Sequence, residues 1–279
     1  MANLDKKNVE IIVRDIRQWF IDRGINVLLQ DGISGFGHDV TRLPLPAMVK
    51  EIECLLVFGG DGTILSSARL VADCGVPVLG INLGRLGFLS EIDVPDIQHA
   101  LERILNKEYH IEERMMIEAA VLRDGKEIER SMGLNDAVIT KGAFARLIFL
   151  KTSVNGEHVS TYPTDGLIVS TPTGSTAYSL SAGGPVVTPK LDLMIVTPIC
   201  PHALWARPIV ISSDCQVEVE LLSDKGEVML TIDGQHGLSL IKNDIVKIGK
   251  APYKVRFIRL QTQNFFSVLN QKLREGDRH

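Results

Sequence analysis

The sequence predicts an α/β N-terminal domain with a parallel sheet, followed by a mostly antiparallel, β-sandwich-like second domain. Up to about residue 108, strand-like apolar runs alternate with segments of helical periodicity, as in a parallel sheet covered by helices. From 109 to 258 one strand-like run follows another, and 259–279 returns to a helical pattern. We therefore predict an α/β domain over 1–108, a β-rich domain over 109–258 and a C-terminal segment over 259–279 that returns to the first domain.

The elements of the first domain follow from the spacing of its apolar residues. Helices are expected over 8–24, 64–72 and 96–106, and strands over 25–29, 54–58 and 76–81. An α/β domain usually opens on a strand, whereas this one opens on a helix. Its first strand is therefore expected to be very short, or the chain begins late.

The second domain is predicted from alternation and turn chemistry. Asp124-Gly125 is typical of a tight hairpin turn. The segment 216–221 alternates polar and apolar residues, and 246–248 and 255–258 are similarly strand-like. A last helix is expected over 265–274.

Composition excludes several classes of function. The chain has 279 residues, 45% of them hydrophobic, and a net charge of −4 with no long basic run, which argues against nucleic-acid binding. Its start is too polar for a secretory signal, and no apolar run approaches a membrane span. The four cysteines form no Cys-x-x-Cys pair, so a zinc site is not expected, and no metal-ligating residue is assigned. We expect a cytoplasmic protein without a membrane partner.

The motif Gly59-Gly60-Asp61-Gly62-Thr63 lies between a predicted buried strand and a predicted helix. Ligands of open α/β sheets bind at the carboxyl ends of strands, where glycines let backbone amides approach a phosphate. An Asp in such a loop repels phosphate unless a metal or a reacting hydroxyl lies between them. The alternative is a tight turn in which Asp61 caps the helix.

Residues 161–187 form a second unusual segment, rich in glycine and in hydroxyl-bearing side chains. Such residues supply backbone and hydroxyl hydrogen bonds to a polar ligand at close range. The alternative is a connector loop without a binding role. The segment is long, flanked by strands and not of low complexity, which favours a binding role.

The motifs together resemble the NAD kinase family in order and spacing. The resemblance covers Gly59–Thr63, Asn82–Leu89, Asn135-Asp136, the block 165–184, 198–202 and 206–209. The first motif is shared with diacylglycerol-type lipid kinases and phosphofructokinases, whereas Thr171–Ser179 is much more specific. The resemblance implies phosphorylation of the 2′-hydroxyl of the adenosine ribose of NAD, giving NADP. It further implies ATP or polyphosphate as donor, a divalent metal such as Mg²⁺ carried with the ATP phosphates, and a homo-oligomer, dimer or tetramer.

The resemblance also implies site residues. Asp61 becomes the catalytic carboxylate. The residues implied to contact the substrates are Gly60, Gly62, Thr63, Phe88, Asn135, Asp136, Arg146, Asp165, Thr176, Ala177, Tyr178, Ser181 and Gln235. Three of these assignments have open alternatives: a capping or turn role for Asn135-Asp136, a solvated cation for Arg146 and an apolar core position for Phe88.

Two other functions fit parts of the sequence. A lipid kinase shares the Gly-Gly-Asp-Gly-Thr turn but has no need of the 165–184 block. A non-catalytic dinucleotide sensor keeps that block and could lose Asp61, which is present here. No Gly-x-Gly-x-x-Gly fingerprint is found, which argues against an ordinary NAD-dependent dehydrogenase.

Overall fold

The computed structural model describes residues 1–4, 6, 9–30, 42–43, 45–84, 87–142, 146–224, 226–260 and 264–276. Its α-helices are α1 (Val9–Ile21), α2 (Leu45–Met48), α3 (Asp61–Val71), α4 (Ile97–Leu105), α5 (Tyr178–Ser181) and α6 (Phe265–Gly276). Short 3₁₀ turns cover Val94–Asp96 and Gly174–Thr176. No described helix is long and apolar enough to cross a membrane.

The strands are β1 (Leu29–Gln30), β2 (Arg42–Leu43), β3 (Leu55–Phe58), β4 (Val78–Asn82), β5 (Ile92–Asp93), β6 (His110–Arg123), β7 (Lys126–Gly133), β8 (Asp136–Lys141), β9 (Ile148–Val154), β10 (Glu157–Thr164), β11 (Gly166–Ser170), β12 (Leu193–Ile199), β13 (Ile209–Ser212), β14 (Val217–Leu221), β15 (Val228–Ile232), β16 (His236–Leu240) and β17 (Ile245–Arg259).

The chain forms two compact units. The first unit comprises Met1–Glu113 and Val255–His279, and the second unit comprises Arg114–Lys254. Helix α6 belongs to the first unit, and β17 contributes residues to both. The predicted division after residues 108 and 258 remains a prediction.

The first unit is built on a parallel sheet with helices on both faces. Strand β4 pairs in parallel with β3, with β5 and, at Phe257, with β17. Leu79 and Ile81 of β4 join a core cluster with α1 and α4. Gly80, between them, faces Ile64 of α3, because a Cβ at Gly80 would lie 2.7 Å from Ile64 Cδ1. This alternation is what a strand buried on both faces requires.

The start of the chain pairs with the end of β3 through an isolated bridge. Ala2 bridges Phe58 in parallel, and the Asn3 amide donates to the Phe58 carbonyl at 2.9 Å. The terminal amine of Met1 donates to the Leu56 carbonyl at 2.8 Å. Residues 1–3 therefore lie beside β3 without forming a regular strand, and the two alternatives for the start of the domain stay open.

One strand prediction in the first unit is wrong for most of its length. Residues 25–28 carry no strand, and only Leu29 and Gln30 pair, in parallel with β2. Gly24 adopts φ +71°, and the Ile25 amide donates back to the Phe20 carbonyl at 3.0 Å. The apolar residues that follow are thus tied to the end of α1, which periodicity alone does not reveal.

The second unit is an antiparallel sandwich. One sheet has the order β13-β12-β11-β8-β15-β16, and the other contains β10, β9, β14 and β17, with β6 beside β17 and β7 beside β6. Inward side chains of the two sheets form one core that includes Ile117, Ile139, Leu150, Val196, Val219 and Leu230. The mixed α/β and β-sandwich fold predicted from the sequence is confirmed.

The hairpin turn predicted at Asp124-Gly125 is present in the second unit. Asp124 and Gly125 join β6 to β7 with φ of +51° and +75°. Positive φ at both central residues suits a two-residue hairpin turn. By contrast, 246–248 and 255–258, predicted as separate runs, are parts of the single strand β17.

Candidate functional site

The Gly59–Thr63 motif forms the turn from β3 into α3. Gly60 is the N-cap of α3, with extended backbone and no side-chain cap hydrogen bond. A Cβ at Gly59 would lie 2.6 Å from the Cβ of Thr63, so only glycine fits this close turn. Asp61 is the first residue of α3, which begins three residues earlier than the helix predicted over 64–72.

The Asp61 carboxylate bonds to a second loop of the same unit. The Phe88 amide donates to Oδ2 at 2.8 Å, and the Leu89 amide donates to Oδ1 at 3.1 Å. A Cβ at Gly87 would lie 1.9 Å from Asp61 Oδ1, so the loop approaches this closely only because residue 87 is glycine. The carboxylate is therefore not the cap of α3, and it joins two of the sequence motifs.

The loop after β4 is fixed by a buried asparagine. Asn82 Nδ2 donates to Asp93 Oδ1 at 2.8 Å, and the Gly84 amide donates to Asn82 Oδ1 at 3.0 Å. Phe88 is half-buried, with its ring centroid 6.3 Å from that of Phe265 in α6. Arg85 and Leu86 of this motif lie outside the described residues.

In the second unit, one carboxylate accepts from three successive backbone amides. Asp233 Oδ2 accepts from Leu134 at 3.0 Å, and Asp233 Oδ1 accepts from Asn135 at 2.7 Å and from Asp136 at 3.1 Å. Asp233 itself has φ +53°, in the left-handed region. Sequence reasoning named only Gln235 from Asp233-Gly234-Gln235 and missed the residue that shapes the Asn135-Asp136 turn.

Asp136 is a buried carboxyl with an altered acidity. It is 4% exposed, and its backbone exchanges hydrogen bonds with Asp233. Burial first, and then the charge of Asp233, raise the pKa of Asp136 from 3.8 to about 7. Near neutral pH this carboxyl can therefore act as a hydrogen-bond donor or as an anion.

The segment after β11 packs directly on the Asn135 turn. Thr171 Oγ1 donates to the Leu134 carbonyl at 2.6 Å, and the Thr171 amide donates to the Asn135 carbonyl at 2.8 Å. A Cβ at Gly174 would lie 2.1 Å from the Asn135 carbonyl oxygen. Arg114, also missed from the sequence, donates from Nη1 to Thr173 Oγ1 at 3.3 Å. The polar segment is thus a fixed structure rather than a loose connector.

The remaining predicted residues of the second unit differ in exposure. Thr176 and Ala177 are half-buried, whereas Arg146, Tyr178, Ser181 and Gln235 are exposed. Asp165 is half-buried, and its Oδ1 lies 3.1 Å from Lys141 Nζ, a partner that the sequence did not reveal. In the first unit, Gly60 and Thr63 are half-buried and Gly62 is exposed. Their contacts with substrates remain predictions.

Asp136 makes stability depend on pH. The folded chain holds its proton up to about pH 7, whereas the unfolded chain releases it near the ordinary value of 3.8. The free energy of unfolding should therefore fall as pH rises through this window, by up to about 4 kcal/mol from this group. Asp136→Asn removes the titration, so urea unfolding between pH 4 and pH 8 should show the variant gaining stability relative to the parent chain. Parallel pH profiles would contradict the assignment.

Comparison with known proteins agrees with this architecture. The family model described as ATP-NAD kinase N-terminal domain matches residues 1–109, and the one described as ATP-NAD kinase C-terminal domain matches residues 134–260.

Curated relatives match over nearly the full length. An NAD kinase of Desulforamulus reducens is 44% identical over 99% of this chain and 96% of its own. An NAD kinase of Moorella thermoacetica is 46% identical over 99% of this chain and 88% of its own.

Solved structures share the fold. Yeast NADH kinase complexed with NADH matches with a TM-score of 0.86 at 25% identity, over 95% of this chain and 83% of that one. An NAD kinase from Archaeoglobus fulgidus in complex with ATP matches with a TM-score of 0.73 at 25% identity, over 94% of each chain. The chain belongs to the NAD kinase family.

Proposed function

We propose that this chain transfers the terminal phosphoryl group of ATP to the 2′-hydroxyl of the adenosine ribose of NAD, giving NADP. The full-length relatives named NAD kinase support this activity. The observation that carries the chemistry is the Asp61 carboxylate, held at the start of α3 by the Phe88 and Leu89 amides. ATP is the proposed donor, and polyphosphate is the alternative.

The role proposed for Asp61 is to orient the ribose hydroxyl and take its proton. Phosphoryl transfer depends mainly on positioning and on offsetting charge. Each Asp61 oxygen accepts one backbone amide, which leaves further lone pairs free for a hydroxyl. Because a carboxylate is a weak base, it accepts the proton late, as the bond to phosphorus forms.

The dinucleotide is proposed to lie against Asn135, Asp136 and the 174–181 segment. The contacts of Thr171 and Gly174 with the Asn135 turn bring these parts of the second unit together. Asp165 is proposed to contact the nicotinamide end, with Arg146 and Gln235 as further polar contacts. Phe88, half-buried in the first unit, is proposed to wall the adenine pocket.

A Mg²⁺ ion is proposed to arrive with the ATP phosphates. Among the described residues, no group of three or more His, Cys, Asp or Glu side chains could hold a metal ion. The half-buried Asp61 carboxylate already accepts from two amides. We therefore propose that substrate phosphates and water supply most of the Mg²⁺ ligands. The ion would then neutralise part of the phosphate charge.

We also propose a cytoplasmic homo-oligomer, a dimer at least. The second unit presents exposed apolar side chains, among them Leu204 at 96% and Trp205 at 62% exposure. Assembly would cover such surface.

The alternative of a lipid kinase leaves the fixed 171–181 segment without a role.

The proposal predicts that the purified chain, incubated with NAD, ATP and Mg²⁺, forms NADP and leaves diacylglycerol unphosphorylated. The polar 161–187 segment suits a dinucleotide and not an acyl chain. Enzymatic detection of NADP, with radiolabelled ATP for the lipid, measures both. Lipid phosphorylation without NADP formation would overturn the proposal.

Asp61→Asn should lower kcat by about 10²–10⁴-fold, the usual contribution of general acid–base catalysis, with NAD still bound. Asn removes the charge and offers one acceptor oxygen where Asp61 offers two. Asp22→Asn is the matched control, because it makes the same substitution in the first unit at an exposed carboxylate, which accepts from Gln18 Nε2 at 2.7 Å and lies outside the motifs. Near-normal turnover of Asp61→Asn would make Asp61 a structural residue.

Asp165→Ala should weaken NAD binding by about 1–3 kcal/mol, the usual cost of losing one partner of a hydrogen bond. ATP affinity should change much less. Lys141→Met is the control, since it removes the ion-pair partner of Asp165 but leaves the carboxylate. Calorimetric titration with each nucleotide separates the outcomes, and an equal loss for both would place Asp165 away from the nicotinamide end.

A further inference from the structure

We infer that Arg259 is a positioning residue for the Asp61 carboxylate, acting through the 87–89 loop. The inference rests on the proposed function, because it assigns a support to the catalytic group of that reaction. Arg259 is the last residue of β17 and belongs to the first unit, as do Asp61 and the loop. No sequence motif pointed to it.

Leu89 joins Arg259 to Asp61 through its two backbone polar groups. Its amide donates to Asp61 Oδ1 at 3.1 Å, and its carbonyl accepts from Arg259 Nη1 at 3.4 Å. Leu89 is 3% exposed, so water does not readily replace either bond. A shift of Arg259 would therefore move the residue that orients the carboxylate.

Arg259 is itself fixed by two carboxylates. Its Nη1 donates to Glu91 Oε2 at 3.0 Å, and its Nε donates to Glu112 Oε2 at 2.7 Å. The side chains of Arg259 and Glu91 are 10% and 3% exposed. A buried pair of this kind has few alternative arrangements, because moving one partner leaves the other unpaired.

Glu91 extends the network into the sheet. Its Oε1 accepts from the Leu260 amide at 2.7 Å, and its own amide donates to the Gly80 carbonyl at 2.9 Å. A Cβ at Gly80 would lie 3.1 Å from both the Leu89 carbonyl oxygen and the Ser90 Cα. The loop that holds Asp61 is therefore pressed against β4 and bonded to the end of β17.

Arg259→Gln tests the inference directly. It should lower kcat by about 10–100-fold, as expected for a small misplacement of a catalytic group, with the KM values for NAD and ATP within about threefold of the parent. Arg256→Gln is the matched control, because Arg256 lies on the same strand and donates to the carbonyl of Gly75 instead. If Arg259→Gln does not fold, the charge-balanced variant Glu91→Gln/Arg259→Gln replaces it.

A double-mutant cycle separates positioning from general stability. If Arg259 acts through Asp61, adding Arg259→Gln to Asp61→Asn should cost less than about threefold further in kcat, since the oriented carboxylate is already gone. An equal loss of kcat in both backgrounds would overturn the inference.

Hydrogen exchange gives a readout that needs no turnover. In the folded variants, the Phe88 and Leu89 amides should exchange faster in Arg259→Gln than in Arg256→Gln or the parent chain. Unchanged exchange at these two amides would overturn the inference. If the parent chain makes no NADP, the proposed function is wrong, and this measurement alone still decides the role of Arg259.

Discussion

The candidate site of the first unit depends on one interaction, the acceptance of two backbone amides by the Asp61 carboxylate. This contact joins the turn after β3 to the loop after β4, 27 and 28 residues further along the chain. Charge-assisted hydrogen bonds of this kind are about twice as strong as neutral ones. Gly87 permits this contact, since a Cβ there would lie 1.9 Å from Asp61 Oδ1, and Gly59 permits the turn itself, since a Cβ there would collide with Thr63.

In the second unit, the Asp233 carboxylate holds the turn at Asn135 in a similar way. It accepts three successive amides around Asn135, and Thr171 then bonds to the carbonyls of that turn and of Leu134. In both units a buried or half-buried carboxylate accepts backbone amides of an irregular loop and restrains that loop. Such loops can then present polar groups to a ligand without paying the ordering entropy at binding.

Periodicity predicted those elements whose form depends on local spacing. Helix α1, strand β3 and the Asp124-Gly125 turn were found close to the expected positions. The strand over 25–29 was wrong because residues 25–28 follow the end of α1 and do not pair. The continuity of β17 was missed because Gly249 and Lys250 interrupt the alternation, whereas the strand pairs with β14 over Ile245–Ile248, with β4 at Phe257 and also with β6.

The residues of the candidate site also differ in whether a local sequence pattern reveals them. Asp61, Asn135 and Asp136 lie in motifs that the sequence displays, so they could be named in advance. Asp233 bonds to residues 97–99 positions away and Arg259 to a residue 170 positions away, and no local pattern reports such contacts. Asp233 bonds to the amides of Asn135 and Asp136 and helps to raise the pKa of Asp136 to about 7, and Arg259 is proposed to position Asp61 through Leu89. Motifs thus name the candidate groups, whereas the buried partners that bond to the loops of these groups come from distant parts of the sequence.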